Sequence, residues 1–452
     1  MSIINLSIIN LSKLALDLVA RDFSDGHSPS NGGPTKTARA LAIIHLAARD
    51  AYAKVTSAYP PKLAPLPNPP AILGNTDLIG QSAAIGAGIR AALTLYPDFT
   101  TFISDESKML MLTAGEDPAA MSYGAAIADR WIASRQGDGA GVPQSDSMYS
   151  AEPGHHRVDP VSNKSALGRT WGQVSPFILA SVAGDAKLDP PPGLTTKEYA
   201  DAYDDVFING RDNIAQRNAT FRDHAAIGTF WGYDGSNKLG TPPRLYNQVI
   251  VATAEFQGLA PKDQLNVLAA VNAAMADAGI AAWYWKYVYD FWRPVVAIRE
   301  ADAGWGPTGK GDANTHRKQK GDPFWLPFGA PGSNPSPAPV AGASGDNFTP
   351  NFPAYPSGHA SFGTACFETF AGLVKKKTDK IMVTFVSDEF NGTTTDHEGI
   401  IRPRWAQTFS LKLAIEQNKI SRIYLGVHWI FDATGGETVG KAVAAKAVAA
   451  FA

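Results

Sequence analysis

A chain of 452 residues with 40 Lys and Arg against 42 Asp and Glu carries a formal net charge of −2. It has no general basic field for nucleic acid or an anionic membrane, so any cations that serve function must be local. Hydrophobic residues at 44% and charged residues at 18% describe an ordinary soluble globular protein. Cys366 is the only cysteine, which excludes an intrachain disulfide and a cysteine-built metal cluster; it reads as a core thiol.

The chain opens on an apolar pattern echoed between 2–6 and 7–11, without a basic stretch or small-residue cleavage site, so no signal peptide is expected. That start can pack on the helices that follow or pair with a second copy, which makes a homo-oligomer one expectation. Apolar residues recur at helical spacing through 34–55 (Ala38, Leu41, Ile44, Ala48, Tyr52), opening at Thr35 or Lys36; His45 on this face reads as a core residue. After a proline-rich loop at 59–70, helices are predicted over 77–95, 100–114 and 119–136, completing an N-terminal bundle. Residues 137–192 lack periodicity, and His155-His156 read there as a solvated turn.

The domain junction falls between Gly184 and Thr196, dividing residues 1–190 from 191–452. Helices are predicted over 199–218, 223–232, 246–259 and 261–290, the last long enough to contain a break. The Gly/Pro-rich segment from 299 to 352 is too long for a plain connection and should wall an active-site channel. Helices over 361–375, 403–418 and 429–451 complete a second bundle. The expected fold is all-α: two helical bundles with long Gly/Pro-rich loops and the active site in the C-terminal one. No apolar run reaches about 18 residues without a charged or polar interruption, so no membrane association is expected. The cytoplasm is the default location, with export by another route left open. His27, His224, His316 and His397 lack ligand-like spacing and receive no role.

Three blocks carry chemistry. Lys286 precedes Arg293-Pro294 by seven residues, two helical turns, which would put both cations on one helix face. Tyr355-Pro356-Ser357-Gly358-His359-Ala360 offers a hydroxyl, an approachable backbone N–H and a histidine. Ser421-Arg422 leads to His428, with Asp432 four residues on and able to fix the His428 tautomer. Three cations, a hydroxyl, an amide and two histidines suit a tetrahedral or five-coordinate oxyanion. One histidine could act in line as ligand or nucleophile, the other as acid/base.

These blocks resemble the signature of the superfamily shared by vanadium-dependent haloperoxidases, bacterial class A acid phosphatases and type-2 phosphatidic acid phosphatases. Phe230-Trp231-Gly232-Tyr233-Asp234-Gly235-Ser236-Asn237, Gly240-Thr241-Pro242-Pro243-Arg244 and Asp322-Pro323-Phe324-Trp325-Leu326 look like the chloroperoxidase type of the haloperoxidase branch. The likeness covers residues 221–440; the N-terminal half matches loosely, chiefly at 33–52. It implies vanadate(V) as cofactor, with His428 the metal ligand and Lys286, Arg293, Arg422, Ser357, Gly358 and His359 around the oxygens. It further implies His359 as acid/base, Asp234 paired with Arg422, and Trp283 and Phe352 lining the halide side. The implied reaction oxidises halide, bromide and chloride, with hydrogen peroxide to hypohalous acid, which passes to an organic acceptor. The alternative is an acid phosphatase with His428 as nucleophile.

Overall fold

The computed structural model of the chain describes residues 6–24, 28–69, 76–114, 117–143, 149–161, 164–212, 222–336 and 346–452. The start of the echoed N-terminal pattern, His27, the end of the predicted 199–218 helix, and parts of the loops at 59–70, 137–192 and 299–352 lie outside them.

Helices α1 (Leu6–Asp22), α2 (Pro34–Thr56), α3 (Thr76–Leu95), α4 (Thr100–Ala114) and α5 (Pro118–Ser134) form the N-terminal bundle. The second half of the echoed apolar pattern, 7–11, lies in α1, and Ile8, Leu11, Leu14 and Leu18 are buried, with α3 and α4 packed against the helix. After α6 (Val182–Asp185) come α7 (Lys197–Asn209), α8 (Arg222–Phe230), α9 (Pro242–Val251), α10 (Ala254–Gln257) and α11 (Pro261–Tyr289). Then follow α12 (Pro294–Arg299), α13 (Gly358–Leu373), strands β1 (Met382–Val386) and β2 (Ala406–Ser410), α14 (Leu411–Tyr424) and α15 (Ile430–Phe451).

Helix α11 runs unbroken for 29 residues and is buried on almost every side. Its apolar residues form no single stripe, the pattern of a helix enclosed by others. Short alanine side chains let α2, α13 and α15 all approach it. By length and composition α3 and α11 could each cross a membrane, but the apolar window of α11 is 94% buried within this protein. Asp277, in the middle of α11, accepts hydrogen bonds from the backbone N–H groups of Phe177, Ile178 and Leu179. The aperiodic 137–192 stretch is thereby fastened to the core. One hydrophobic core joins residues of α1–α5 to residues of α11, α13 and α14.

Several expectations need correction. Residues 403–418 are not one helix: 406–410 pair antiparallel with 382–386, in register Met382↔Ser410 to Val386↔Ala406, and α14 starts only after Ser410. The Ser410 hydroxyl accepts from Leu413 N and so marks that start. Residues 246–259 form two helices, the first opening earlier at Pro242, because proline is well suited to the first helical turn. Lys286 and Arg293 share no helix. Helix α11 ends at Tyr289 with Asp290 left-handed (φ 50°), and Arg293 is extended (φ −81°, ψ 154°) as the N-cap of α12. A residue before proline avoids the helical region, so Arg293 stands outside the helix expected to carry both cations, and Pro294 starts a new one. His155-His156 is not a solvated turn throughout, since His156 is buried while His155 is exposed. His45 and Cys366 are buried, as read from their helical faces.

Candidate active site

The N-termini of α13 and α15 meet beside the α11–α12 junction, and this brings the three blocks together. Helices α13 and α15 pack along a seam of small residues. A Cβ on Gly436 would lie 2.5 Å from Ser357 O and 2.8 Å from Ala360 Cβ; one on Gly440 would lie 2.6 Å from Thr364 Cβ. The seam holds Ser357 so close that its N–H donates to Asp432 O at 2.8 Å. Ser357 is the N-cap of α13, so Gly358 and His359 occupy its first turn, where N–H groups lack intrahelical acceptors. Such a terminus favours an anion. Helix α15 starts directly after His428-Trp429, and Asp432 Oδ2 accepts from Trp429 N at 3.0 Å.

The hydrogen bonds of His428 fix its tautomer. Arg293 Nη1, which can only donate, lies 3.0 Å from Nε2, so Nε2 presents its lone pair. Nδ1 then bears the proton and donates to Asp432 Oδ2 at 2.8 Å. Burial, reinforced by Arg293 and Lys286, holds the ring far below its ordinary pKa and keeps it neutral. Burial also raises Asp432 to about 7, against the Trp429 N–H and the nearby cations. A neutral imidazole with an unprotonated Nε2 is the form that binds metals, and here Arg293 Nη1 occupies that lone pair. His359 is neutral as well: burial and then Arg422 lower it to about 4. Its Nε2–H donates to Gly232 O at 2.9 Å, leaving Nδ1 as the basic nitrogen.

Lys286, Arg293 and Arg422 are all fully buried. Lys286 Nζ donates to Pro353 O (2.7 Å) and Ala354 O (3.0 Å). Arg293 donates to Phe352 O (2.8 Å) and Val427 O (2.6 Å), and Arg422 makes a two-pronged pair with Asp234 at 2.8 and 3.0 Å. Burial, followed by Arg293, pushes Lys286 well below its ordinary value, and burial lowers Arg293 to about 9. Among the described residues two donors of these cations have no acceptor, Arg293 Nη2 and Arg422 Nε. A buried oxyanion would satisfy both donors and oppose the lowered values of Lys286 and Arg293, whereas an apolar or cationic occupant would do neither. The donor set therefore fits vanadate.

Trp283 and Phe352 pack with ring centroids 4.8 Å apart and planes tilted by 53°, and Lys286 Nζ lies 5.6 and 5.0 Å from their rings. Both rings line a cavity of about 320 Å³ that also reaches Asp234, Gly358, His359, Arg422 and His428. The Gly/Pro-rich segment walls it through Phe348, Pro350, Asn351 and Phe352. The opposite wall was not foreseen. Phe23, Ser28, Pro29, Gly32, Gly33, Pro34 and Lys36 come from the N-terminal half, and Thr241 and Lys164 also line the space. Gly33-Pro34-Thr35 was the one available signal, as part of the loose N-terminal likeness.

The model of the VCPO second helical-bundle domain matches residues 266–452. Vanadium chloroperoxidase of Curvularia inaequalis is 31% identical over 497 residues, an alignment covering 90% of this chain and 76% of that protein. Among solved structures, the first bacterial vanadium-dependent iodoperoxidase superposes with a TM-score of 0.69 at 19% identity, covering 99% of this chain and 97% of that one. An apo-type bacterial vanadium-dependent chloroperoxidase superposes with a TM-score of 0.64 at 16% identity, covering 92% and 93%. The chain is a vanadate-using enzyme and belongs to the vanadium-dependent haloperoxidase family.

Proposed function

We propose that this enzyme oxidises halide, bromide and chloride included, with hydrogen peroxide to hypohalous acid, and that the site described above carries the reaction. The observation behind this reading is the unprotonated Nε2 of neutral His428, set among three buried cations, two of which, Arg293 and Arg422, keep an unsatisfied N–H among the described residues. His428 Nε2 is the metal ligand. Lys286, Arg293, Arg422, the Ser357 hydroxyl and the Gly358 N–H neutralise and orient the oxygens. Asp432 positions His428, and Asp234 positions Arg422. Bound vanadate supplies a Lewis acid that activates peroxide without changing its own oxidation state.

His359 Nδ1 takes the first proton from incoming peroxide, and its low basicity lets it pass that proton on. Lys286 draws charge from the oxygen that halide attacks, aimed in advance by Pro353 O and Ala354 O. Trp283 and Phe352 strip water from the halide and keep the local dielectric low, where the pull of Lys286 is stronger. Chloride is the hardest of the three halides to oxidise and gains most from that wall.

The test loads purified protein with orthovanadate and assays chloride, bromide and iodide oxidation beside p-nitrophenyl phosphate hydrolysis. We expect vanadate-dependent halide oxidation, with iodide and bromide faster than chloride. Phosphate hydrolysis without halide oxidation would overturn the reading. His428→Ala should retain no vanadate in equilibrium dialysis while keeping its circular dichroism spectrum. Phe352→His should suppress chloride turnover more than bromide turnover.

A further inference from the structure

One turn governs two groups of the site. Gly232 O accepts from His359 Nε2–H at 2.9 Å, and two residues on, Asp234 accepts both prongs of Arg422 at 2.8 and 3.0 Å. Asp234 Oδ1 also lies 3.7 Å from His359 Nε2, so a shift of the turn changes which acceptor that proton meets. Between the two, Tyr233 is fully buried in the left-handed region (φ 51°). A bulky side chain rarely adopts that conformation, and it persists only where the surroundings hold it.

The hold comes from outside the cavity, from the short 3-10 turn Asp388–Phe390 that follows β1. Its N-cap, Ser387, donates from Oγ to Phe230 O at 2.7 Å, and Asp388 N donates to the Tyr233 hydroxyl at 2.7 Å. Tyr233 N donates to Glu389 Oε1 at 3.4 Å, and a Cβ on Gly232 would stand only 3.0 Å from that same oxygen. The other oxygen, Oε2, accepts from Ser333 Oγ at 2.5 Å and from Arg402 Nη1 at 2.7 Å. Glu389 is wholly buried, and burial raises its carboxyl to about 7, opposed first by Arg402. A buried ion pair is often no more stabilising than apolar residues of the same volume, so stability alone does not account for this one.

We propose that Glu389 is a positioning residue of the site: paired with Arg402, it fixes the Gly232–Asp234 turn, and through that turn both the tautomer of His359 and the aim of Arg422. Its effect on turnover rests on the acid/base role proposed for His359; its effect on geometry does not. A carboxylate accepts on both oxygens, which is what this place between two sets of donors requires. Glutamine at 389 keeps the volume but accepts on one side only. Its amide N–H groups would face either Tyr233 N–H or the Ser333 and Arg402 donors.

The experiment compares the full chain with its Glu389→Gln variant at neutral pH, well above the value of about 4 for His359. Long-range proton–nitrogen NMR spectra of imidazole-labelled protein report which ring nitrogen of His359 bears the proton, its signal being identified by its loss in His359→Gln. Wild type should show Nε2–H alone. Glu389→Gln should show both tautomers and should bind vanadate about tenfold more weakly in equilibrium dialysis, the scale of one charge-assisted contact. Tyr233→Phe loses the contact to Asp388 N and should move both readouts the same way by less; it decides the matter if Glu389→Gln does not fold. A lower melting temperature with the wild-type tautomer and unchanged vanadate affinity would make Glu389 merely structural and overturn the proposal. Weaker vanadate binding with His359 unmoved would overturn the shared control of the two groups. Neither readout needs halide or peroxide. Both responses in a protein that oxidises no halide would support the positioning role while the halide reading fell.

Discussion

The chemistry of the site is set residue by residue, and each key side chain is held by a group that leaves it one free function. Asp432 Oδ2 accepts from the Nδ1–H of His428, while Gly232 O accepts from the Nε2–H of His359, so the unprotonated nitrogen is Nε2 in one imidazole and Nδ1 in the other. Asp234 fixes Arg422 at two points and leaves Nε unpaired. Breaking a buried pair strands the remaining charge, at a cost of about 3–5 kcal/mol. In a double-mutant cycle on folding stability, Asp234→Ala and Arg422→Ala should therefore be non-additive by at least about 1 kcal/mol; strict additivity would show that the pair carries no energy. The Asp234–Arg422 pair was implied only by the family resemblance, but His359, Arg422, His428 and Asp432 were legible in the sequence because oxyanion chemistry restricts residue type and spacing. Lys36, Lys164 and Thr241 were not. Their nearness to the site depends on how distant segments cross, and no local spacing encodes that.

At the scale of elements, the packing of α13 on α15 decides whether the site exists. Alanine at an open helical position would favour the helix by about 1 kcal/mol relative to glycine. At Gly436 its methyl would meet Ser357 O, which is backbone and cannot turn aside. We expect Gly436→Ala to destabilise the protein by about 1–3 kcal/mol and to weaken vanadate binding, because Ser357 and Gly358 move with the seam. An unchanged melting temperature together with unchanged vanadate affinity would refute this role. Elements were readable from sequence where apolar period and caps agreed, as in α2, α3 and α4. Reading failed where a local stop was subtle. Asp290 ends α11 in a left-handed conformation that no glycine announces, and β2 is a five-residue strand run directly into a helix.

For the molecule as a whole, acid stability and cooperativity follow from what is buried. His45 in α2 is engaged through Nδ1 to Leu41 O at 2.8 Å, and burial lowers its pKa from 6.5 to about 4. The unfolded chain gains its proton near pH 6.5 while the native state resists until about pH 4. The native state is thus favoured above that window and loses the advantage as pH falls through it, by a total on the order of 3 kcal/mol. His45→Leu should flatten the stability profile between pH 6.5 and 4; a profile as steep as wild type would mean that other groups govern acid unfolding.

Helix α11 carries Trp283 and Lys286 at its C-terminal end, yet α2 and α13 pack against the same helix. Freeing α11 from the core therefore also strips α2 of a face. Vanadate bound to the native state alone slows global opening by the factor one plus ligand over Kd, roughly a hundredfold when the anion is a hundred times its Kd. That protection should not stop at the site. Amide hydrogen exchange in α2, measured with and without saturating vanadate, should slow in step with exchange in α11. Retarded exchange confined to α11 and the C-terminal helices would mean that the two halves open independently and share a helix without sharing a fate.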